Sequence, residues 1–95
     1  MNPKKVVREK VKKLTDLPNI GPSLAEDLSL IGIETPEQLQ GKEAFELYEE
    51  LAKKTGAKHD PCVLDVFMSI TDFINGGEPK VWWDYTAQRK ALYQK

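Results

Sequence analysis

"LPNIGPSLAEDL", residues 17–28, is the stretch whose reading decides the fold. Leu17-Pro18 ends whatever helix precedes it, because proline disfavours a helical conformation in the residue before it. Pro22 suits the first position of the next helix, where its missing N–H costs nothing. Leu24, Ala25, Leu28 and Ile31 form that helix's apolar stripe, and Gly32 is expected to close it as a left-handed cap. The corner between has Ile20 pointing inward to lock it against a core. Its chemistry belongs to the backbone. The first N–H groups of a helix lack intrahelical partners, and the aligned peptides concentrate positive potential there. Gly21 permits close approach, and Asn19 tolerates the left-handed region. The amides of Ser23 and Leu24, with the Ser23 hydroxyl, are thereby candidates to hold one phosphate oxygen. Glu26 and Asp27 follow within a turn and oppose such a ligand.

Outward from this corner the pattern is helical. Val7, Val11 and Leu14 recur at helical spacing and predict a first helix over 4–15, with Lys5, Arg8 and Lys12 sharing one face. "TPEQLQG" (35–41) carries its own signals: Thr35 as cap, Pro36 first, Gln38 closing a capping box and Gly41 as stop. Residues 43–55 place Phe45, Tyr48, Leu51 and Ala52 on one face and end at Gly56. Asp60 caps and Pro61 opens a helix to about Asn75, whose "VLDVFMSITDFI" is apolar on most sides and predicts the central helix. "WWDYTAQRKALYQK" (82–95) predicts a short amphipathic tail helix. The expected class is all-α: one domain of five helices with a short Trp-containing tail helix.

A weak internal echo accompanies this order. Setting Gly21-Pro22 against Asp60-Pro61 aligns Leu24 with Val63, Ala25 with Leu64 and Leu28 with Phe67. This suggests a first hairpin over 4–31, a connector over 33–41, a degenerate second hairpin over 43–75 and a tail over 78–95. Two such units would bury each other's apolar faces.

Composition narrows the function. Ninety-five residues with 40% hydrophobic and 31% charged suit one soluble globular domain. No apolar run approaches the roughly 20 residues needed to span a bilayer. "MNPKKVVREKVKK" has no apolar signal core, and the single Cys62 suits a reducing compartment, so a cytoplasmic protein is expected. The net charge of −1 conceals an acidic middle between basic ends. Residues 1–16 hold six Lys/Arg against Glu9 and Asp16, 17–79 hold four Lys against twelve acids, and 80–95 hold four Lys/Arg against Asp84.

Other residues invite chemistry and yield little. "HDPC" (59–62) puts Cys62 in a helix's first turn beside His59, a nucleophile's setting in principle. A capping Asp60 and a small core Cys62 are the favoured reading. One Cys and one His cannot close a zinc site. The acids of "EAFELYEEL" (43–51) lie on an exposed helix face with Lys53 and Lys54 as ion-pair partners. No nucleotide loop, Ser/His/Asp set or cofactor motif is present, so neither an enzyme nor a cofactor is expected. Trp82-Trp83 is the most unusual dipeptide: exposed rings there could stack on nucleic-acid bases or anchor a partner protein. One ring is expected to pack as a lid while the other stays half exposed as the better protein-contact candidate. The Trp pair and apolar tail are compatible with a dimer as well as a monomer.

"LPNIGPSLAEDLSLIGIETPEQL" (17–39) resembles the helix-hairpin-helix motif of DNA-repair and recombination proteins, a SAM-like arrangement. With "DPCVLDVF" and "WWDY", the chain resembles, over roughly 14–85, small bacterial proteins of the pathogenicity-locus or mitomycin-resistance-associated family. The first stretch alone is similar to the C-terminal domain of sxy-type competence regulators. The motif implies sequence-independent contact with the DNA backbone through hairpin amides, which carries over to Gly21, Ser23 and Leu24. Asn19 stands where the wider motif usually has a first glycine, and Ser23 where DNA-binding members often have lysine. The expectation is weak, non-specific DNA binding through residues 19–24, assisted by Lys5, Arg8 and Lys12. The alternative is a protein-interaction module that uses the same frame without touching DNA.

Overall fold

Proline and glycine set the helix boundaries. In the structure, a computed structural model describing residues 6–93, Pro22 and Pro61 open helices α1 (Pro22–Leu30) and α3 (Pro61–Ile74). Helix α2 (Ala44–Thr55) ends at Gly56, which takes φ +67°. Helix α4 (Thr86–Tyr93) follows directly on a 3-10 turn at Trp82–Tyr85. Further 3-10 turns lie at Arg8–Lys10, Leu14–Asp16 and Pro36–Leu39, and the described residues contain no strand. The protein is all-helical.

The expected five helices plus a tail helix are corrected to four α-helices, the tail's α4 included, among the described residues. The helix expected over 4–15 is, from residue 6 on, two 3-10 turns joined by extended backbone. The reason is local. Asp16 Oδ2 accepts from the amides of Lys12 and Lys13, both at 3.1 Å, offering those donors an alternative to a helical ladder. The β-branched valines add little helical preference. The Pro36–Leu39 element is a single 3-10 turn, with Gln38 Oε1 accepting from Thr35 N–H at 3.0 Å and from Glu34 N–H at 2.6 Å.

α3 is the axis of the core. Leu64, Phe67, Ile70 and Phe73 are fully buried along it, together with the polar Asp65 and Ser69. It packs against α2, α4 and the turns at Pro36–Leu39 and Trp82–Tyr85, while α1 rests on α2 and the Leu14–Asp16 turn. The buried stripe of α2 is Ala44, Leu47, Tyr48 and Leu51, displaced from the expected face so that Phe45 and Ala52 are only partly covered. Each fully buried Leu or Phe contributes about 1.5–3 kcal/mol relative to exposure.

Helices α1 and α3 terminate alike. After α1, Ile33 N–H donates to Leu28 O and Gly32 N–H to Ser29 O, with Gly32 at φ +86°. After α3, Gly77 N–H donates to Asp72 O and Gly76 N–H to Phe73 O, with Gly76 at φ +110°. Both are Schellman closures that satisfy orphan carbonyls at the helix end. Of the aligned positions in the two Pro-opened helices, Leu28 and Phe67 are both fully buried and Leu24 and Val63 both half-buried, whereas Ala25 is half-buried and Leu64 fully buried.

Candidate nucleic-acid interface

The corner before α1 is built on a strained residue. Asn19 is the one non-glycine at positive φ among the described residues, at +67°. Its side chain turns inward. Nδ2 donates to Ser69 Oγ at 2.9 Å and to the Lys80 carbonyl at 2.8 Å, bolting the corner to α3 and to the segment before the Trp pair. Ile20 is fully buried, as its expected role as a lock requires. Asn19 is therefore a positioning residue of the corner, and its amide group is already engaged by protein.

Gly21 caps α1 with φ −96° and ψ −177°, extended backbone open to any residue. A Cβ built there would meet nothing within 4 Å. No side chain caps this helix, and its first intrahelical-type bond is Ala25 N–H to Gly21 O at 3.0 Å. The Ser23 and Leu24 amides thus have no protein acceptor among the described residues. Pro22 and Ser23 are exposed, Leu24 half-buried. Two donors without a protein acceptor, and the hydroxyl of an exposed serine, stand at the positive end of a nine-residue helix. Glu26 is exposed and Asp27 half-buried one turn on.

The basic residues expected to assist divide. Lys5 lies outside the described residues. Arg8 is committed to the fold: its guanidinium donates to the Phe73 and Gly77 carbonyls and lies over the Phe73 ring, 4.2 Å from the centroid. It closes the carbonyl end of α3, where a cation is favoured by the helix dipole. Lys12 is exposed, as are Lys10 and Lys13. Because Asn19 binds Ser69 and Arg8 binds Phe73, four residues on along α3, the N-terminal segment and the corner lie side by side on one stripe of that helix. Asp16, in the same segment, is held below the usual carboxylate range by the Lys12 and Lys13 amides.

Elsewhere, the nucleophile reading of Cys62 finds no geometry. Asp60 Oδ1 caps α3 by accepting from Cys62 N–H at 2.9 Å. Burial, then Asp60, pushes the half-buried thiol's pKa up. His59 Nε2 shares a 2.8 Å hydrogen bond with Thr55 Oγ1, and its carbonyl accepts from the Tyr48 hydroxyl. Among the described residues no group of three or more His, Cys, Asp or Glu is placed to hold a metal ion. Among the described residues no helix is long and apolar enough to cross a membrane.

The Trp pair splits. Trp82 is half-buried against the core, and Trp83 is 60% exposed. Their rings meet edge to face, 5.5 Å between centroids at 84°. Beyond them the tail is fastened by groups the sequence reading passed over. Asp65 accepts from Arg89 Nε at 2.5 Å and from Thr86 Oγ1 at 2.7 Å, and Asp72 accepts from the Tyr85 hydroxyl at 2.6 Å. A signal was available: an acid inside the apolar run "VLDVF" needs a buried partner.

Comparison with known proteins agrees with the family resemblance. The family model described as "Cdd1: Pathogenicity locus" matches residues 7–91. A protein of Streptomyces lavendulae described as "Mitomycin resistance protein McrB" is 42% identical over 79 residues, covering 83% of this chain and 75% of that protein. No solved structure matches the chain.

Proposed function

We propose, from the premise that this chain belongs to the Cdd1 pathogenicity-locus family, that it is a non-catalytic, cytoplasmic domain of helix-hairpin-helix, SAM-like type. In this reading its corner contacts DNA phosphates without sequence preference. The observation that supports this reading is the pair of unpartnered amides, Ser23 and Leu24, at the uncapped and solvent-facing start of α1. A phosphate there replaces water as acceptor and meets the positive end of the helix dipole. Lys12, with Lys10 and Lys13 beside it, supplies the screening cations. Arg8 acts indirectly, by holding the basic segment against α3.

Binding of this kind is weak. Proteins making several phosphate contacts reach roughly 10⁻⁴–10⁻⁶ M without base readout. One corner opposed by Glu26 and Asp27 belongs at or above the weak end of that range.

Titration of isotope-labelled protein with a short duplex at low salt tests this. Shifts confined to residues 19–24 and the N-terminal segment, fading as salt rises, are expected. Gly21→Glu should abolish them with the helices intact, since φ −96° and open space accommodate the new side chain. Silence at millimolar DNA would instead favour a protein-interaction module, for which the exposed Trp83 is the specific observation.

A further inference from the structure

Trp83 is placed by the same contact that places the phosphate corner. Asn19 Nδ2 grips the Lys80 carbonyl at 2.8 Å. Three residues reach at most about 10 Å along the chain, so the Trp83 backbone is confined to the neighbourhood of the corner. The ring is held as well as exposed, because the half-buried Trp82 braces it edge to face at 5.5 Å. An indole that is 60% exposed yet braced presents a flat apolar surface at little further entropic cost.

The charges nearby select what such a surface can take. Exposed Asp84 adjoins Trp83 in the chain and exposed Glu78 lies on the same stretch, where the cations are already engaged by protein: the Lys80 ammonium lies 5.9 Å from the Tyr85 ring centroid, and the Arg8 guanidinium donates to the Gly77 carbonyl. With both cations so engaged, a second phosphate is disfavoured at this point. A nucleobase is neutral, and every base has a face that stacks on an aromatic ring. In intact duplex the bases are sequestered. In single strands, frayed ends and junctions they are free.

We infer that Trp83 is a base-stacking platform beside the amide corner, and that the preferred ligand class is single-stranded or frayed DNA rather than closed duplex. This rests on the phosphate-binding reading of Ser23 and Leu24 and deepens it by naming the form of DNA.

The test uses the full chain, a single-stranded oligothymidylate and a hairpin-closed duplex of equal charge, at low salt, followed by Trp fluorescence and by amide shifts. Wild-type protein should bind the single strand more tightly and with quenching. Trp83→Ala should lose about tenfold in single-strand affinity and leave duplex shifts at 19–24 unchanged. Gly21→Glu should lose both ligands. Equal affinities for the two DNAs, or an unchanged single-strand affinity in Trp83→Ala, would overturn the stacking platform and leave the corner reading standing. Wild-type binding to neither DNA would overturn both.

Discussion

The Asp65 carboxylate and the Arg89 guanidinium meet at 2.5 Å in the interface between α3 and α4, with both side chains almost wholly withdrawn from water. Most of α4 faces solvent: Ala87, Gln88, Lys90, Ala91 and Leu92 are all exposed. Of the side chains described on α4, Arg89 is the one that is buried. Removing one partner of a buried pair costs far more than replacing both, because the remaining charge keeps its desolvation penalty. Asp65→Ala should lower the unfolding free energy by about 3–5 kcal/mol. The double variant Asp65→Leu/Arg89→Met should recover most of that loss. Urea denaturation measures both, and a double variant as unstable as the single would refute the explanation.

That pair marks where the sequence was legible and where it was not. Boundaries written in proline, glycine and capping acids were readable, as Pro22, Gly32, Asp60, Pro61 and Gly56 illustrate, because each acts within a few residues of itself. In the 4–15 segment the valine spacing points to a helix, and from residue 6 on the Asp16 carboxylate prevails over it by taking the Lys12 and Lys13 amides. The corner's inward-facing parts depend on partners 50 and 61 residues away, Ser69 and Lys80. Periodicity carries no information at that range. Arg8 reads in the sequence as a free cation for the same reason, since nothing local points to Phe73.

Asn19 offers a test of how the corner holds its shape. Asn19→Ala loses two hydrogen bonds, about 1 kcal/mol each, and leaves a Cβ-bearing residue without local compensation at φ +67°. The expected cost is about 2–3 kcal/mol. Asn19→Gly loses the same bonds but takes the dihedral freely, so it should cost about 1 kcal/mol less. Equal losses in urea denaturation would mean the dihedral carries no strain.

Stability should fall at both ends of the pH scale for different groups. Burial raises the pKa of Tyr48 and Tyr85, and the Asp72 carboxylate that accepts the Tyr85 hydroxyl raises the latter further. A raised folded pKa means the native state holds the proton more tightly. The contribution is thus complete below the unfolded value near 10 and is lost as pH rises above it. Tyr85→Phe should flatten much of that alkaline arm. Asp16 and Asp60 have lowered values, chiefly from backbone amides, so their contribution is present above the unfolded carboxylate range and lost as pH falls through the folded values. Asp60→Asn keeps a capping side chain that does not titrate and should flatten part of the acid arm. Unfolding midpoints between pH 2 and 11 check both signs.

Arg8 separates a structural cation from a ligand-binding one. Its guanidinium spans two carbonyls, Phe73 O and Gly77 O, while lying over the Phe73 ring. A lysine ammonium is a compact point charge and does not reproduce that planar, forked geometry. Arg8→Lys should therefore lose stability almost as Arg8→Met does, about 1–2 kcal/mol from the helix-end and ring contacts together. At equal folded concentration its DNA affinity and salt dependence should be nearly those of the native protein. Lys12→Gln should do the reverse: stability unchanged, and the slope of log affinity against log salt shallower by about one ion. An Arg8→Lys variant of native stability but weakened DNA contact would transfer Arg8 from the scaffold to the binding surface.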